Sequence, residues 1–444
     1  MECGTLSVPI DWDDPKGQHF NLGITRLPAQ GNKTDKIGSL FINPGGPGAP
    51  SSQLVKWVAD NAKAVSDLVN VFDIIGLDPR GTGLSNQIKC NQTIYAERVS
   101  IFPKTQEEYD KLVDKSKRWG KSCLELTGPL LQHVDTISAA KDHEAVRIAL
   151  GNEPLNFLGL SYGSQLGAQY AALFPSQIRT LVLDGIVQHS QSEASNILTE
   201  TTSYALSLSH FFTWASKSNL SALSTQPQSL LNFWETLLTN ASQTPIPAKS
   251  CKGTLCARDV TAEEILFNVQ PKLSSTEKWP ALAAALYNAS RGDASTLSTR
   301  FDDAEIPTGI AIGCLDWTHD SSLTLSSLRA KKQMADSYSP LTLGASQSWT
   351  AQHACIGWPI PVKNPPQKLD VQTDATILMV ASTADPSTGY AWAVGMMEEI
   401  GNKVLVTRRG EGHTSTLARG RTREVVFEYL ITGKAPGEGM VLDD

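Results

Sequence analysis

Three side chains in this 444-residue chain have the types and order that acyl transfer requires: a serine, a later aspartate and a histidine after both. Ser161 is the centre of Gly159-Leu160-Ser161-Tyr162-Gly163, a G-x-S-x-G pattern. A serine hydroxyl is a poor nucleophile at neutral pH. It needs an adjacent imidazole to take its proton and a carboxylate to fix the imidazole's tautomer and stabilise its charged form. Asp385, in Ala384-Asp385-Pro386, and His413, in Gly412-His413-Thr414, follow in that order, each just past a late strand-like run. His133 and His143 precede the serine, while His319 and His353 fall in a helical stretch, so none of them competes for the base. Asp316 is the second candidate for the acid, since a carboxylate can reach such a site from another loop.

The elements around these residues decide whether the pattern means anything. Leu155 to Leu160 is an apolar run of strand length, and Gly163, Gly167 and Ala171 recur at i, i+4 spacing in a helix with one face of small residues. A strand turning sharply into a helix lifts the Ser161 hydroxyl clear of the sheet at the positive end of the helix. A third strand, Ile37 to Ile42, runs into Asn43-Pro44-Gly45-Gly46-Pro47-Gly48. Pro47 has no N–H, so Gly45 or Gly46 is expected to provide one oxyanion donor and Tyr162, after the nucleophile, the other.

The remaining chain reads as the frame. Gly4 to Leu27 alternates as a β-hairpin, and Val71 to Leu77 is a buried strand. Asp78-Pro79-Arg80-Gly81-Thr82-Gly83 lacks the Gly-Lys-Ser/Thr ending of a phosphate loop and reads as a structural turn, with Arg80 bracing loops near the site. Thr136 to Ala149 is predicted as a helix and Ile178 to Leu183 as a strand. From about Gln188 to Pro366 strand-like alternation gives way to helix-length segments rich in Ser, Ala and Leu, with Phe211, Phe212, Trp214, Phe233, Trp234 and Trp279 among them, more as core than as substrate wall. Strand Ala375 to Ala381, a helix from about Thr388 to Ile400 and strand Lys403 to Thr407 then resume the first pattern. The expected fold class is α/β, a mostly parallel doubly wound sheet over 1–187 and 367–444, with a mainly helical cap inserted at 188–366.

Bulk properties narrow the partners. A net charge of -7 argues against a nucleic-acid binder, no block of Lys or Arg suggests a membrane-surface patch, and no apolar run approaches the length of a bilayer span. The expected partner is a small molecule or short peptide, with no nucleic acid, no membrane and no metal or organic cofactor. Seven cysteines and five Asn-X-Ser/Thr sequons, at Asn32, Asn91, Asn219, Asn240 and Asn288, favour a secreted glycoprotein, although Met1 to Gly4 carries no leader. Cys251 and Cys256 can pair locally, Cys314 and Cys355 can staple the end of the insertion to the core, and Cys90 with Cys123 would then leave Cys3 free. The sequence does not fix the oligomeric state.

The chain resembles the tripeptidyl-aminopeptidase and proline-iminopeptidase branch of the α/β-hydrolases. The resemblance rests on Cys3-Gly4-Thr5-Leu6, the Asn43 to Gly48 loop, Asp78 to Gly83, the Ser161 pattern, Leu181-Val182-Leu183-Asp184-Gly185 and Gly412-His413-Thr414-Ser415. It implies Ser161, Asp385 and His413 as the triad and removal of short N-terminal peptides as the activity. Two stretches depart from the family: Ser387-Thr388 stand where a Thr-Pro pair is usual, and Ala49-Pro50-Ser51-Ser52 follow the glycine loop. An esterase, thioesterase or lactonase acting on a natural product is the alternative, because the same groups serve any acyl transfer; a catalytically silent binding protein is the remote one. An aminopeptidase must also hold an α-ammonium. The insertion offers Glu193, Glu200, Glu235, Glu263, Glu264, Asp302, Asp303, Glu305 and Asp316, of which at least one is expected to point into the cleft.

Overall fold

The computed structural model describes residues 1–226, 228–253, 255–318 and 324–443, so His319 lies outside the described residues. Nine strands form one sheet: β1 (Glu2–Pro9), β2 (His19–Leu27), β3 (Gly38–Asn43), β4 (Phe72–Leu77), β5 (Leu155–Leu160), β6 (Ile178–Asp184), β7 (Ile377–Ala384), β8 (Lys403–Glu411) and β9 (Val441–Asp443), in the order β1-β2-β4-β3-β5-β6-β7-β8-β9. The opening hairpin and the β2/β4 pair are antiparallel, and the other pairs are parallel. The central strands are apolar on both faces because both are covered. Phe157, Leu181, Leu183 and Met379 enter one core with helices α2 (Gln106–Thr127), α3 (Thr136–Ala149) and α4 (Tyr162–Leu173), while Leu158, Val182, Leu378 and Val380 enter another with α1 (Ser51–Asp60) and α13 (Arg421–Thr432). Successive residues of a strand point to opposite faces, so one short run serves two cores.

Arg80 is fully buried and ties the opening segments together. Its guanidinium donates to Asp142 and to the carbonyls of Ile10 and His133. Asp142 is in α3, so Arg80 braces the hairpin against that helix.

Between β6 and β7 the chain runs through α5 (Glu193–Ala215), α6 (Leu230–Gln243), α7 (Ala262–Val269), α8 (Trp279–Ser290), α9 (Glu305–Asp316), α10 (Leu325–Tyr338) and α11 (Ser348–Ala354), with one two-stranded pair, Ile246–Pro247 and Asp259–Val260. These helices begin where their sequence allows: the Ser192 side chain accepts from Ser195 N, and Thr261 with Glu264 forms a capping box. They have a core of their own, in which Phe211, Phe212, Phe233, Trp234 and Trp279 are buried and Trp214 packs at the margin.

Two late elements differ from expectation. The helix expected over Thr388 to Ile400 is only α12 (Tyr390–Met396), because Ser387 N and Thr388 N donate to the Asp385 side chain and hold that end as a loop. The strand expected to stop at Thr407 continues to Glu411, with a register shift between Arg408 and Glu411. Disulfides join Cys90 to Cys123, Cys251 to Cys256 and Cys314 to Cys355, leaving Cys3 free and exposed.

Candidate active site

Ser161 stands between β5 and α4 with φ 57° and ψ -124°, a conformation that a non-glycine residue adopts only when its surroundings impose it. The flanking glycines make that turn possible. A Cβ on Gly159 would lie 2.1 Å from the Gly163 carbonyl oxygen, and one on Gly163 would lie 2.9 Å from both oxygens of Asn43. Farther along α4, a Cβ on Gly167 would meet Leu183 at 2.8 Å, so the small face seen in the sequence is what lets the helix approach β6. The Ser161 N–H donates to the Asp184 carbonyl at 2.8 Å, and the Ser164 hydroxyl donates to the Ser161 carbonyl at 2.6 Å.

Asp385 and His413 are in direct contact. Asp385 follows β7, and its carboxylate lies 2.9 and 3.0 Å from His413 Nδ1. The same carboxylate accepts from Ser387 N, Thr388 N and Thr388 Oγ1, each at 2.8 Å. Burial alone would raise the Asp385 carboxyl, but the charge and hydrogen bond of His413 and the donors of Thr388 and Ser387 outweigh it and hold the group below its usual value. Burial alone would lower the His413 imidazole; Asp385, Asp184 and Glu200 outweigh that and hold it above its ordinary 6.5. Ser161 belongs to the same end of the sheet. The residue after Asp184 is Gly185, where a Cβ would lie 3.3 Å from His413 Cε1 and 3.1 Å from Thr388 Oγ1.

The glycine loop closes over the elbow from the β3 side. Gly45, at φ 92°, sits so close that a Cβ there would lie 2.4 Å from the Leu160 carbonyl, 2.8 Å from Ser161 Cβ and 2.9 Å from Tyr162 N. Its own N–H is engaged, donating to Asn43 Oδ1 at 2.9 Å. Of the two glycines expected from the sequence, this leaves Gly46 as the one whose N–H has no hydrogen-bond partner among the described residues. Tyr162 N is in the first turn of α4, where backbone N–H groups have no partner within the helix.

Asp316, the second candidate acid, has partners other than His413. Its carboxylate accepts from Thr136 N at 2.9 Å, Asn364 Nδ2 at 3.1 Å and Gln165 Nε2 at 3.1 Å, and is bonded to the Thr136 hydroxyl, which also meets the Tyr162 phenol. Burial pushes its pKa up to about 7.

The other acids of the insertion divide by partner. Glu193 pairs with Lys331, Glu264 with Arg98 and Asp302 with Arg300; Glu263 accepts from Ser100 and Ile101, and Glu235 is exposed. Glu200 is buried, accepting from Gln270 Nε2 at 2.8 Å and Ser348 N at 2.6 Å; burial pushes its pKa up to about 7. Asp303 accepts from Glu305 N. Glu305 heads α9, whose first turn packs on the glycine loop: a Cβ on Gly48 would lie 2.5 Å from the Glu305 carbonyl. Its half-buried carboxylate has no hydrogen-bond or ion-pair partner among the described residues, and burial, then Asp303, push its pKa up.

Asn43, Asp184, Thr388 and Arg408 were not singled out as site residues from the sequence. Thr388 carries the one signal that could have revealed it, since Asp385-x-x-Thr is the spacing of a side chain that folds back on an aspartate. Among the described residues no group of three or more His, Cys, Asp or Glu could hold a metal ion, and no helix is long and apolar enough to cross a membrane.

The chain is similar to known proteins over almost its whole length. Residues 38–246 match the family described as alpha/beta hydrolase fold, and residues 339–441 match the TAP-like protein family. The chain is 28% identical to serine protease Hip1 of Mycobacterium tuberculosis over 98% of its own length and 86% of that protein's. It is 33% identical to a tripeptidyl aminopeptidase of Streptomyces lividans over 44% of this chain and 36% of that one. It is also 27% identical to carboxylesterase B of Mycobacterium tuberculosis, over 98% of this chain and 85% of that protein. The sheet order, the elbow at Ser161 and the match over residues 38–246 give the chain the α/β-hydrolase fold, and its C-terminal region is similar to the TAP-like family.

Proposed function

We propose that the chain is a serine hydrolase working through an acyl-enzyme, and that it releases short peptides from free N-termini. The observation that carries the reading is the pairing of His413 Nδ1 with Asp385 at 2.9 Å at the sheet end where Ser161 is held at positive φ. In this reading Ser161 attacks the carbonyl carbon, and His413 Nε2 takes its proton and passes it to the leaving amine. Asp385 holds the proton on Nδ1, while the N–H groups of Tyr162 and Gly46 hold the oxyanion. Water then repeats the attack on the ester. The helical stretch of 188–366 acts as a cap over this site and selects the substrate.

Glu305 is the carboxylate we assign to the α-ammonium. Its backbone packs on the glycine loop, its half-buried carboxylate has no cation partner among the described residues, and burial raises its pKa, as it does for an acid whose counter-charge is absent. Three disulfides support an oxidising compartment, and the asparagines of all five sequons are exposed, as glycan acceptors must be. The similarity to a carboxylesterase keeps an ester substrate as the second reading.

A fluorophosphonate probe should label Ser161, and Ser161→Ala should abolish both labelling and turnover; unchanged turnover defeats the mechanism. A peptide amide with a free N-terminus, its acetylated twin and a simple aryl ester separate the two substrates. Cleavage of the free peptide alone supports the aminopeptidase. Fast ester hydrolysis with equal indifference to both peptides assigns an uncharged acyl group.

A further inference from the structure

Asp184 is fully buried at the end of β6 and takes no part in the mechanism above, yet it is bonded to both halves of the site. Its backbone carbonyl accepts from the N–H of Ser161 at 2.8 Å. Its carboxylate accepts from Ser415 N at 2.8 and 3.0 Å and from Thr416 N at 2.6 Å, the backbone just past His413. Buried Arg408 grips the same loop from β8, donating to Ser415 Oγ at 2.8 Å and to the carbonyls of Glu411, Gly412 and Thr414 at 3.0, 3.1 and 3.4 Å. A buried anion and a buried cation therefore meet on one residue, Ser415, with His413 two positions upstream. Burying two such charges costs several kcal/mol of desolvation per ion.

We infer that Asp184 and Arg408 are positioning residues that set the spacing and charge state of His413 relative to Ser161. The inference rests on the proposed roles of Ser161 and His413. Asp184 does this twice over, through the loop it anchors and through its charge. The other groups facing the imidazole are Asp385 and Thr388 from the loop after β7 and Glu200 from α5, while the backbone N–H of His413 donates to the Ser274 carbonyl at 2.9 Å. Glu411, next but one to His413, is paired with His210 of α5 at 2.6 Å. Arg408 lies behind the loop and supplies geometry.

The two variants should therefore fail differently. In the full chain, Asp184→Asn removes a negative charge and opposes an amide N–H₂ to the loop's N–H groups. The His413 imidazole, followed by NMR with labelled histidine and assigned with His413→Gln, should titrate lower than in the parent. kcat should fall about 10²-fold, as a displaced catalytic group does, with KM little changed. Arg408→Lys keeps the charge but cannot span four acceptors; kcat should fall by a similar factor while the imidazole titration stays where it was. A parent-like kcat and an unmoved titration in Asp184→Asn overturn the inference. If that variant does not fold, a parent-like kcat in Arg408→Lys overturns it. The titration needs no substrate, so it remains decisive if the proposed substrate is wrong, and labelling of Ser161 in the parent tests the proposed function separately.

Discussion

Replacing Asp385 by asparagine tests the proposed proton path at one atom. The side chain keeps its shape, and one oxygen can still accept from Ser387 N and Thr388 N, the two 2.8 Å bonds that hold the loop. The other position becomes an amide nitrogen facing His413 Nδ1 at 2.9 Å and Thr388 Oγ1 at 2.8 Å. An N–H₂ group there donates to Nδ1, so the ring's proton moves to Nε2, the nitrogen that must accept from Ser161. The wrong tautomer is expected to lower kcat about 10⁴-fold, or about 5.5 kcal/mol in the barrier, with the fold retained. The pH dependence has a definite sign. In the parent the imidazole is held above its ordinary value, so activity falls as pH drops through a point above 6.5. Loss of the carboxylate removes its strongest counter-charge, and the acid limb of the residual activity should move to lower pH. The assay is kcat/KM for an aryl ester from about pH 5 to 9, with circular dichroism on the same samples and Asp316→Asn as the comparison, because Asp316 bonds Thr136, Gln165 and Asn364 instead. A rate for Asp385→Asn within about tenfold of the parent, or a larger loss in Asp316→Asn, would refute the assignment of the acid.

Gly159→Ala should cost far more stability than Gly163→Ala, since its Cβ meets backbone at 2.1 Å whereas that of Gly163 meets Asn43 at 2.9 Å; thermal melts that rank them the other way contradict the packing. Gly163→Ala should also lower kcat, because Asn43 Oδ1 is the acceptor that fixes Gly45. Glu200→Gln should gain stability relative to the parent as pH rises: burial lifts the folded pKa from 4.5 to about 7, so the parent's contribution is full below 4.5 and lost through 7. That window is worth about 3 kcal/mol, and denaturation curves showing the same difference at both ends of it would disprove the shift. Glu305→Gln should raise KM for free-amine peptides by a factor worth about 1.5–3 kcal/mol and leave the acetylated twin unaffected; equal changes for both would remove Glu305 from substrate recognition.

What was legible in the sequence was what is local. The Ser161 turn carries much of its logic within five residues, because the Gly163 carbonyl leaves no room for a Cβ on Gly159, while Gly163 itself is limited by the distant Asn43. The three cysteine pairs followed from proximity and from what each could close. The choice between Gly45 and Gly46 depended on where one amide oxygen of Asn43 points, which no spacing encodes. α12 came out shorter than its apolar pattern because a side chain, Asp385, competes for the N–H groups that a helix start would use. Asp184 lies 231 residues from the loop it holds, and the sequence reads as an ordinary strand end there.

The pairing of β6 with β7, Val182 to Leu378, Leu183 to Met379 and Asp184 to Val380, joins strands separated by the whole helical stretch. During synthesis the serine, its elbow and the glycine loop leave the ribosome long before the acid and the base exist. A nascent chain that has not reached Ile377 exposes the edge of β6 and holds a serine with nothing to take its proton. Docking of β7 and β8 then closes that edge and brings Asp385 and His413 to the end of the sheet that holds Ser161. With the roles proposed for Ser161, Asp385 and His413, the late event that removes a sticky edge is also the one that completes the site.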